Sequence, residues 1–204
     1  MLNRWIALVA LAGLVLPACS QEDHTPSKDA PKFKVEFETT VGNFTIEATR
    51  KWAPLGVARF QDMVAAGFFT DIAFFRVIDD FMVQFGLHGQ PATNKAWGKA
   101  PIFDDPVVAG NKRGRITFAT SGRNSRTTQM FINFKHNKPY DAMGFAAFGE
   151  VVEGMDVVDK IHKVGEGAPE GPGPAQSTMK AQGNTYLRKA YPQLDYIKSA
   201  KFVK

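Results

Sequence analysis

The chain has 204 residues, 44% of them hydrophobic and 12% aromatic, enough to fill one core and too apolar for a disordered chain. Its formal charge of +5 and pI of about 9.3 come without a dense Lys/Arg run interleaved with aromatics, so no nucleic-acid partner is expected. A single cysteine excludes an internal disulfide framework, and the core alone must hold the fold.

The chain opens with "MLNRWIALVALAGLVLPACS": a positive start at Arg4, an apolar run from Trp5 to Leu16, then small residues. That is the layout of a secretory signal, too short to be a membrane-spanning helix. Residues 1–18 are read as the signal peptide. The sole cysteine, Cys19, directly follows "LPA", which resembles a bacterial lipobox and implies a lipidated Cys19 anchored in a membrane. The alternative is ordinary cleavage after Ala18, which leaves a free thiol on a soluble periplasmic protein. Ser20, rather than Asp, favours the outer membrane. Residues 19–30 lack apolar periodicity and read as the cysteine and a flexible tether.

Residues 31–204 read as one domain. Phe33, Val35 and Phe37 alternate, as do Phe44, Ile46 and Ala48 beyond Gly42, which predicts a hairpin. A helix follows from Pro54, with Val57, Phe60 and Val64 inward and Gly67 as its stop. Next come "IAFFRVI" and "FMVQFG", two strands around Asp79-Asp80, then a strand pair at Arg115 to Ser121 and Gln129 to Phe134. "FAAFGEVV" predicts a strand, "MDVVDKI" a helix with Val157, Val158 and Ile161 inward, "GNTYLRKAYPQL" a C-terminal helix, and "DYIKSAKFV" a closing strand. Gly165 to Thr178 is too rich in Pro and Gly for regular structure, and the residues suggest no function for it. Many short strands with two or three helices predict an all-β barrel or sandwich. The barrel is preferred, because pairing the first strand with the last removes exposed edges.

Ser125, His136 and Asp141 can be aligned as a triad on paper, but no G-x-S-x-G elbow surrounds the serine. The four histidines are isolated, no C-x-x-C or H-x-x-E-H spacing occurs, and no glycine-rich phosphate loop precedes a helix. Neither a metal nor a cofactor is expected. What stands out is "FFRVIDDFMVQFG", Phe74 to Gly86, where Arg76 and Gln84 interrupt an apolar run. Met82 and Gln84 share a strand face, whereas Phe81 falls on the other unless the turn re-aims it. From the residues alone, Arg76 either snorkels to water or waits for a substrate.

"FFRVIDDFMVQFG" resembles the cyclophilin motif F-H-R-V-I followed by F-M-x-Q-x-G, and "ITFATSG" through "TTQMFI" resembles that family's second motif. With "APLGVARFQDMVAAGFFTDIAFFRVI" and "FAAFGEVVEGMDVVDKI" the likeness extends over most of residues 32–164. It implies a closed eight-stranded antiparallel β-barrel capped by two or three helices, and peptidyl-prolyl cis-trans isomerase activity without a cofactor. The implied partners are proline-containing client polypeptides, with the protein expected to be a monomer. By the same resemblance Arg76 is the catalytic arginine and Gln84 helps to hold it. Phe81, Met82 and Phe131 wall the proline pocket, and Ala119, Thr120, Ser121 and Gln129 form the groove. Tyr140 and Phe145 stand at pocket positions where the family commonly has other residues.

Overall fold

The computed structural model describes residues 25–204, so the signal at 1–18, Cys19 and His24 lie outside the described residues. Strand β1, Lys32–Thr39, pairs antiparallel with β2, Gly42–Thr49, with Thr39 opposite Gly42. Phe33, Val35 and Phe37 face the core with Phe44, Ile46 and Ala48, as the period-two pattern dictates. The turn needs glycine: Gly42 has φ +127, and a Cβ there would sit 3.1 Å from Val157.

Helix α1, Pro54–Ala65, starts on Pro54, whose missing N–H costs nothing in a first turn. Its N-cap Ala53 offers no side-chain acceptor. The Asp105 carboxylate takes the role from a distant loop, accepting from the N–H groups of Leu55 (3.0 Å) and Gly56 (2.8 Å). Asp105 also pairs with Arg126 at 3.1 Å, and both side chains are buried. The helix ends before Gly67 at φ +65 and packs Val57, Phe60, Met63 and Val64 inward. On the tether side, the Gln61 side chain donates to the carbonyls of Pro26 (2.9 Å) and Ser27 (3.2 Å), so ordered contacts begin before residue 31.

The remaining elements are β3 (Ile72–Ala73), β4 (Arg76–Ile78), β5 (Met82–Phe85), α2 (Pro91–Trp97), β6 (Arg115–Phe118), β7 (Met130–Asn133) and α3 (Pro139–Ala142). They are followed by β8 (Ala147–Glu153), α4 (Met155–Lys160), α5 (Gln176–Gln182), α6 (Asn184–Ala190) and β9 (Tyr196–Val203). All pairings in the sheet are antiparallel, in the order β3-β9-β1-β2-β8-β6-β7-β5-β4. The first and last strands, β1 and β9, lie side by side.

The expectation of a closed eight-stranded barrel is corrected here. The sheet has nine strands, curls into a half-barrel, and leaves its edge strands β3 and β4 unpaired with each other. The two edges are consecutive in the chain, and the backbone changes partner between them. Phe74 N–H donates to Asp195 O beside β9, whereas Phe75 N–H donates to Gln84 O on β5. Each half of this short stretch therefore pairs with only one of the named strands, and the ladder is interrupted where a long strand would have closed it. The strand expected from Arg115 to Ser121 stops at Phe118. Beyond it, the Thr120 and Ser125 hydroxyls bond the Gly122 carbonyl, a local alternative to the ladder.

Six helices rather than two or three are present among the described residues, the additional ones of four to seven residues each. The Gly165 to Thr178 stretch is irregular only to Ala175, after which α5 begins. The core is dominated by phenylalanine: Phe37 stacks on Phe44 at 5.1 Å, and Phe148 meets Phe60 at 5.1 Å and Phe118 at 5.0 Å. Such pairs add geometric preference to the area they bury, which suits a core without disulfides.

Candidate active site

The antiparallel register places Arg76 on β4 opposite Gln84 on β5, Gln84 opposite Phe131 on β7, and Phe131 opposite Thr117 on β6. These four residues form one row on the outer face of the sheet. The intervening Val77, Val83, Ile132 and Ile116 belong to the core. Met82, two residues before Gln84, shares this outer face. Phe81 is re-aimed by the turn, where Asp80 has φ +51 and Phe81 N–H donates to Ile78 O at 3.2 Å. Its ring lies 5.6 Å beneath the Arg76 guanidinium.

Behind the row sits a buried polar layer that the sequence reading missed. Thr117 Oγ1 donates to Asn111 Oδ1 at 2.7 Å, and Asn111 Nδ2 donates to Phe145 O at 2.8 Å. Asn137 Nδ2 reaches Phe81 O at 2.9 Å and Asn133 Oδ1 at 2.7 Å. Asn111, Thr117 and Asn133 have no exposed surface, so the bonds of Thr117 to Asn111 and of Asn137 to Asn133 are made away from water. The layer thereby fixes the backbones that carry Phe81 and Phe145. Asparagine within the apolar "MFINF" was the available signal. The Asp141 carboxyl joins this layer through Asn111; burial works against its charge, but hydrogen bonds from Asn111 and His136 hold it below the usual carboxylate range.

Phe81, Phe131, Tyr140 and Phe145 converge into an aromatic cage. Tyr140 stacks on Phe145 at 4.7 Å and meets Phe81 at 5.6 Å and Phe131 at 5.8 Å edge-on. Burial raises the Tyr140 phenol, with Arg76 opposing and Glu166 reinforcing that shift, so the ring stays neutral. Arg76 stands at the rim. Its Nη1 donates to Gln84 Oε1 at 3.0 Å and points at Met82 Sδ at 3.7 Å. Its other edge is held by a residue that the sequence reading assigned no role: Nε and Nη2 donate to the two carboxylate oxygens of Glu166 at 2.5 and 2.6 Å. Glu166 is consequently held below the usual carboxylate range, chiefly by that hydrogen bonding to Arg76.

Gln84 Nε2 donates to Gln129 Oε1 at 2.9 Å, which links this rim to a neighbouring cavity of about 980 Å³. Ala119, Thr120, Ser121 and Gln129 line the cavity on the sheet side, and α2 and α5 close the other side. The sequence-selected residues within the described part of the chain thus form two adjoining groups, the Arg76 rim with its aromatic cage and the cavity lining, joined by the Gln84–Gln129 hydrogen bond. Ser125 is tied by its hydroxyl to Thr120 and Gly122, whereas His136 faces Asp141 at 3.7 Å, so the paper triad does not assemble.

The family model described as cyclophilin type peptidyl-prolyl cis-trans isomerase/CLD matches residues 34–181. The "Peptidyl-prolyl cis-trans isomerase" of Acinetobacter baylyi is 39% identical over 136 residues, covering 64% of this chain and 72% of that one. "Peptidyl-prolyl cis-trans isomerase B" of Escherichia coli is 36% identical over 142 residues, covering 65% and 86%. Among solved structures, a cyclophilin type peptidyl-prolyl cis-trans isomerase of Cryptosporidium parvum superposes with a TM-score of 0.62 at 18% identity, covering 85% of this chain and 98% of that one, a likeness of fold.

Proposed function

The chain belongs to the cyclophilin-type peptidyl-prolyl cis-trans isomerases, and from that premise we propose that it turns X-Pro bonds in exported client polypeptides at the Arg76 groove. The observation that carries the site assignment is the Arg76 guanidinium held at the rim of the aromatic cage by Gln84 and Glu166. An X-Pro amide resists rotation by about 18–20 kcal/mol, because the nitrogen shares its lone pair with the carbonyl. At the twisted transition state the pair returns to nitrogen. A guanidinium N–H aimed there bonds more strongly at that moment than in the ground state, which is what acceleration requires. Rotation makes and breaks no covalent bond, so the proposed mechanism calls for neither a covalent intermediate nor a metal. Arginine suits the role because it stays charged at every working pH.

In this reading Phe81, Met82 and Phe131 receive the proline ring, with Tyr140 and Phe145 covering it, and Ala119, Thr120, Ser121 and Gln129 take the flanking backbone. Phe131 is 3% exposed and packs against Tyr140 and Phe145, outside the main phenylalanine core. Phe131→Ala should therefore cut kcat/KM by roughly tenfold to a hundredfold. It should cost less stability than the roughly 3–5 kcal/mol of a fully packed core phenylalanine. Peptide turnover and urea unfolding measured on the same preparation separate these effects; unchanged turnover would show that proline binds elsewhere.

We also propose that residues 1–18 direct export and that Cys19 is acylated, leaving the domain as a monomer on the periplasmic face of a membrane, the outer one favoured. One acyl chain holds only marginally, so stable attachment needs the several chains of a lipoprotein. Cys19→Ser should block lipid modification and normal lipoprotein maturation, abolishing labelling by a fatty-acid probe. Wild-type protein found soluble and unlabelled would overturn this assignment.

A further inference from the structure

Resting on that reading of Arg76, we propose that Glu166 is a positioning residue for the isomerase reaction: its carboxylate pins one edge of the guanidinium so that the uncommitted N–H of Nη2 faces the prolyl bond. A guanidinium has five N–H donors in a planar fork. Glu166 takes those of Nε and one of Nη2, Gln84 takes one of Nη1, and Nη1 also points at Met82 Sδ. The uncommitted donor is the second N–H of Nη2, at the end of the fork away from the Glu166 contact. The carboxylate therefore fixes the plane without occupying the donor that a substrate would need. Without it, the guanidinium keeps only a neutral acceptor on Gln84 and the weak contacts to Met82 and the Phe81 ring.

The loop that carries Glu166 is built around it. Gly165 N–H donates to Val77 O at 2.8 Å, which tacks the loop onto β4 beside Arg76. Gly167 N–H donates to the Glu166 carboxylate at 2.9 Å, and Gly173 N–H to the Glu166 carbonyl at 2.7 Å. A Cβ at Gly171 or Gly173 would come within 2.6 or 2.8 Å of that carbonyl, closer than real side chains approach. The glycines of "GEGAPEGPGP" thus permit the close wrap that presents one carboxylate to one arginine. Tyr191 Oη reaches Gly173 O at 3.2 Å and braces the far side. Among the described residues, the charged or titratable side chains facing the carboxylate are Arg76 on β4 and the neutral Tyr140 phenol on α3.

The test compares Glu166→Gln, Glu166→Asp and Glu166→Ala with wild type and Arg76→Ala in an X-Pro peptide assay. The neutral and truncated variants should lose roughly tenfold to a hundredfold in kcat with little change in KM, because misdirection penalises the transition state most. Glu166→Asp should recover part of the loss. In wild type, whose folded carboxyl is depressed, kcat should hold through neutral pH and fall only as pH drops through and below the usual carboxylate range. Glu166→Gln should lack that acid limb. The Arg76 Nε–H proton should exchange slowly by NMR in wild type and rapidly in Glu166→Gln, whether or not stability changes. If Glu166→Gln turns over as fast as wild type or faster while Arg76→Ala is inactive, the carboxylate is idle or a brake and the inference is overturned. Should Arg76→Ala itself retain activity, the site reading on which the inference rests fails instead. If the glutamine and alanine variants do not fold, a missing acid limb or a fast-exchanging Nε–H in wild type still refutes it.

Discussion

Replacing Arg76 with alanine should lower kcat/KM by roughly a hundredfold or more, near 3 kcal/mol of transition-state stabilisation, while leaving the fold intact. The size follows from what is removed: a guanidinium at the rim of the aromatic cage, already oriented on two sides. The small effect on folding follows from where it stands. Arg76 lies on the outer face of the sheet with 21% of its side chain exposed, and Glu166 has 37% exposed, so the freed carboxylate regains water. Pairs in that situation contribute little net stability. Peptide turnover should therefore collapse while the thermal midpoint moves by a few degrees at most. An active variant would remove Arg76 from the mechanism, and an unfolded one would show that the side chain is structural.

The largest effect on stability is expected at Asp105. Its carboxylate is almost fully buried, pairs with Nη1 and Nη2 of the equally buried Arg126 at 3.1 Å, and accepts the first free N–H groups of α1. Arg126 also donates to the Phe103 carbonyl. Asp105→Ala leaves the buried Arg126 guanidinium with only the more distant Asp104, at 3.7 Å, as a charged partner and uncaps the helix together, which should cost roughly 3–5 kcal/mol. For a domain of this size that lowers the melting temperature by on the order of 10 °C. The penalty comes largely from the abandoned charge, so Asp105→Leu combined with Arg126→Met should be less destabilised than Asp105→Ala alone. Urea denaturation of the three variants decides this. Equal loss in the double variant would assign the cost to the cap rather than to the ion pair.

Where local pattern decides structure, the sequence was sufficient. Phe33 to Ala48 alternates with period two around a turn that needs glycine, and it forms the hairpin. Val57, Phe60 and Val64 lie on the buried face of α1. Arg76 and Gln84 are brought opposite each other by a tight turn, so their pairing could be anticipated from a separation of eight residues. Glu166 could not, because its partner lies 90 residues away and its own neighbourhood of Pro and Gly carries no periodicity. The short helices α2 and α5 were equally hidden. At seven residues each they are below the length at which helix propensity speaks, and α2 and α6 are sustained by packing on α5. The unclosed sheet was missed for a related reason: whether β3 and β4 form one strand or two depends on which partner each amide finds.

The position of β9 has a consequence for when the molecule can exist at all. Residues 196–203 are hydrogen-bonded on both flanks, to β1 at the start of the domain and, at Tyr196 and Ile197, to β3, so β3 cannot pair until Ile197 has left the ribosome and β1 cannot finish until Val203 has. At a synthesis rate of roughly 5–20 residues per second, β1 waits on the order of ten seconds for that partner. The wait is compounded by the slow search that distant strand pairing imposes on a chain. Throughout it β1 keeps the backbone N–H and C=O groups of that flank unpaired, an open edge that only the end of the chain can cover.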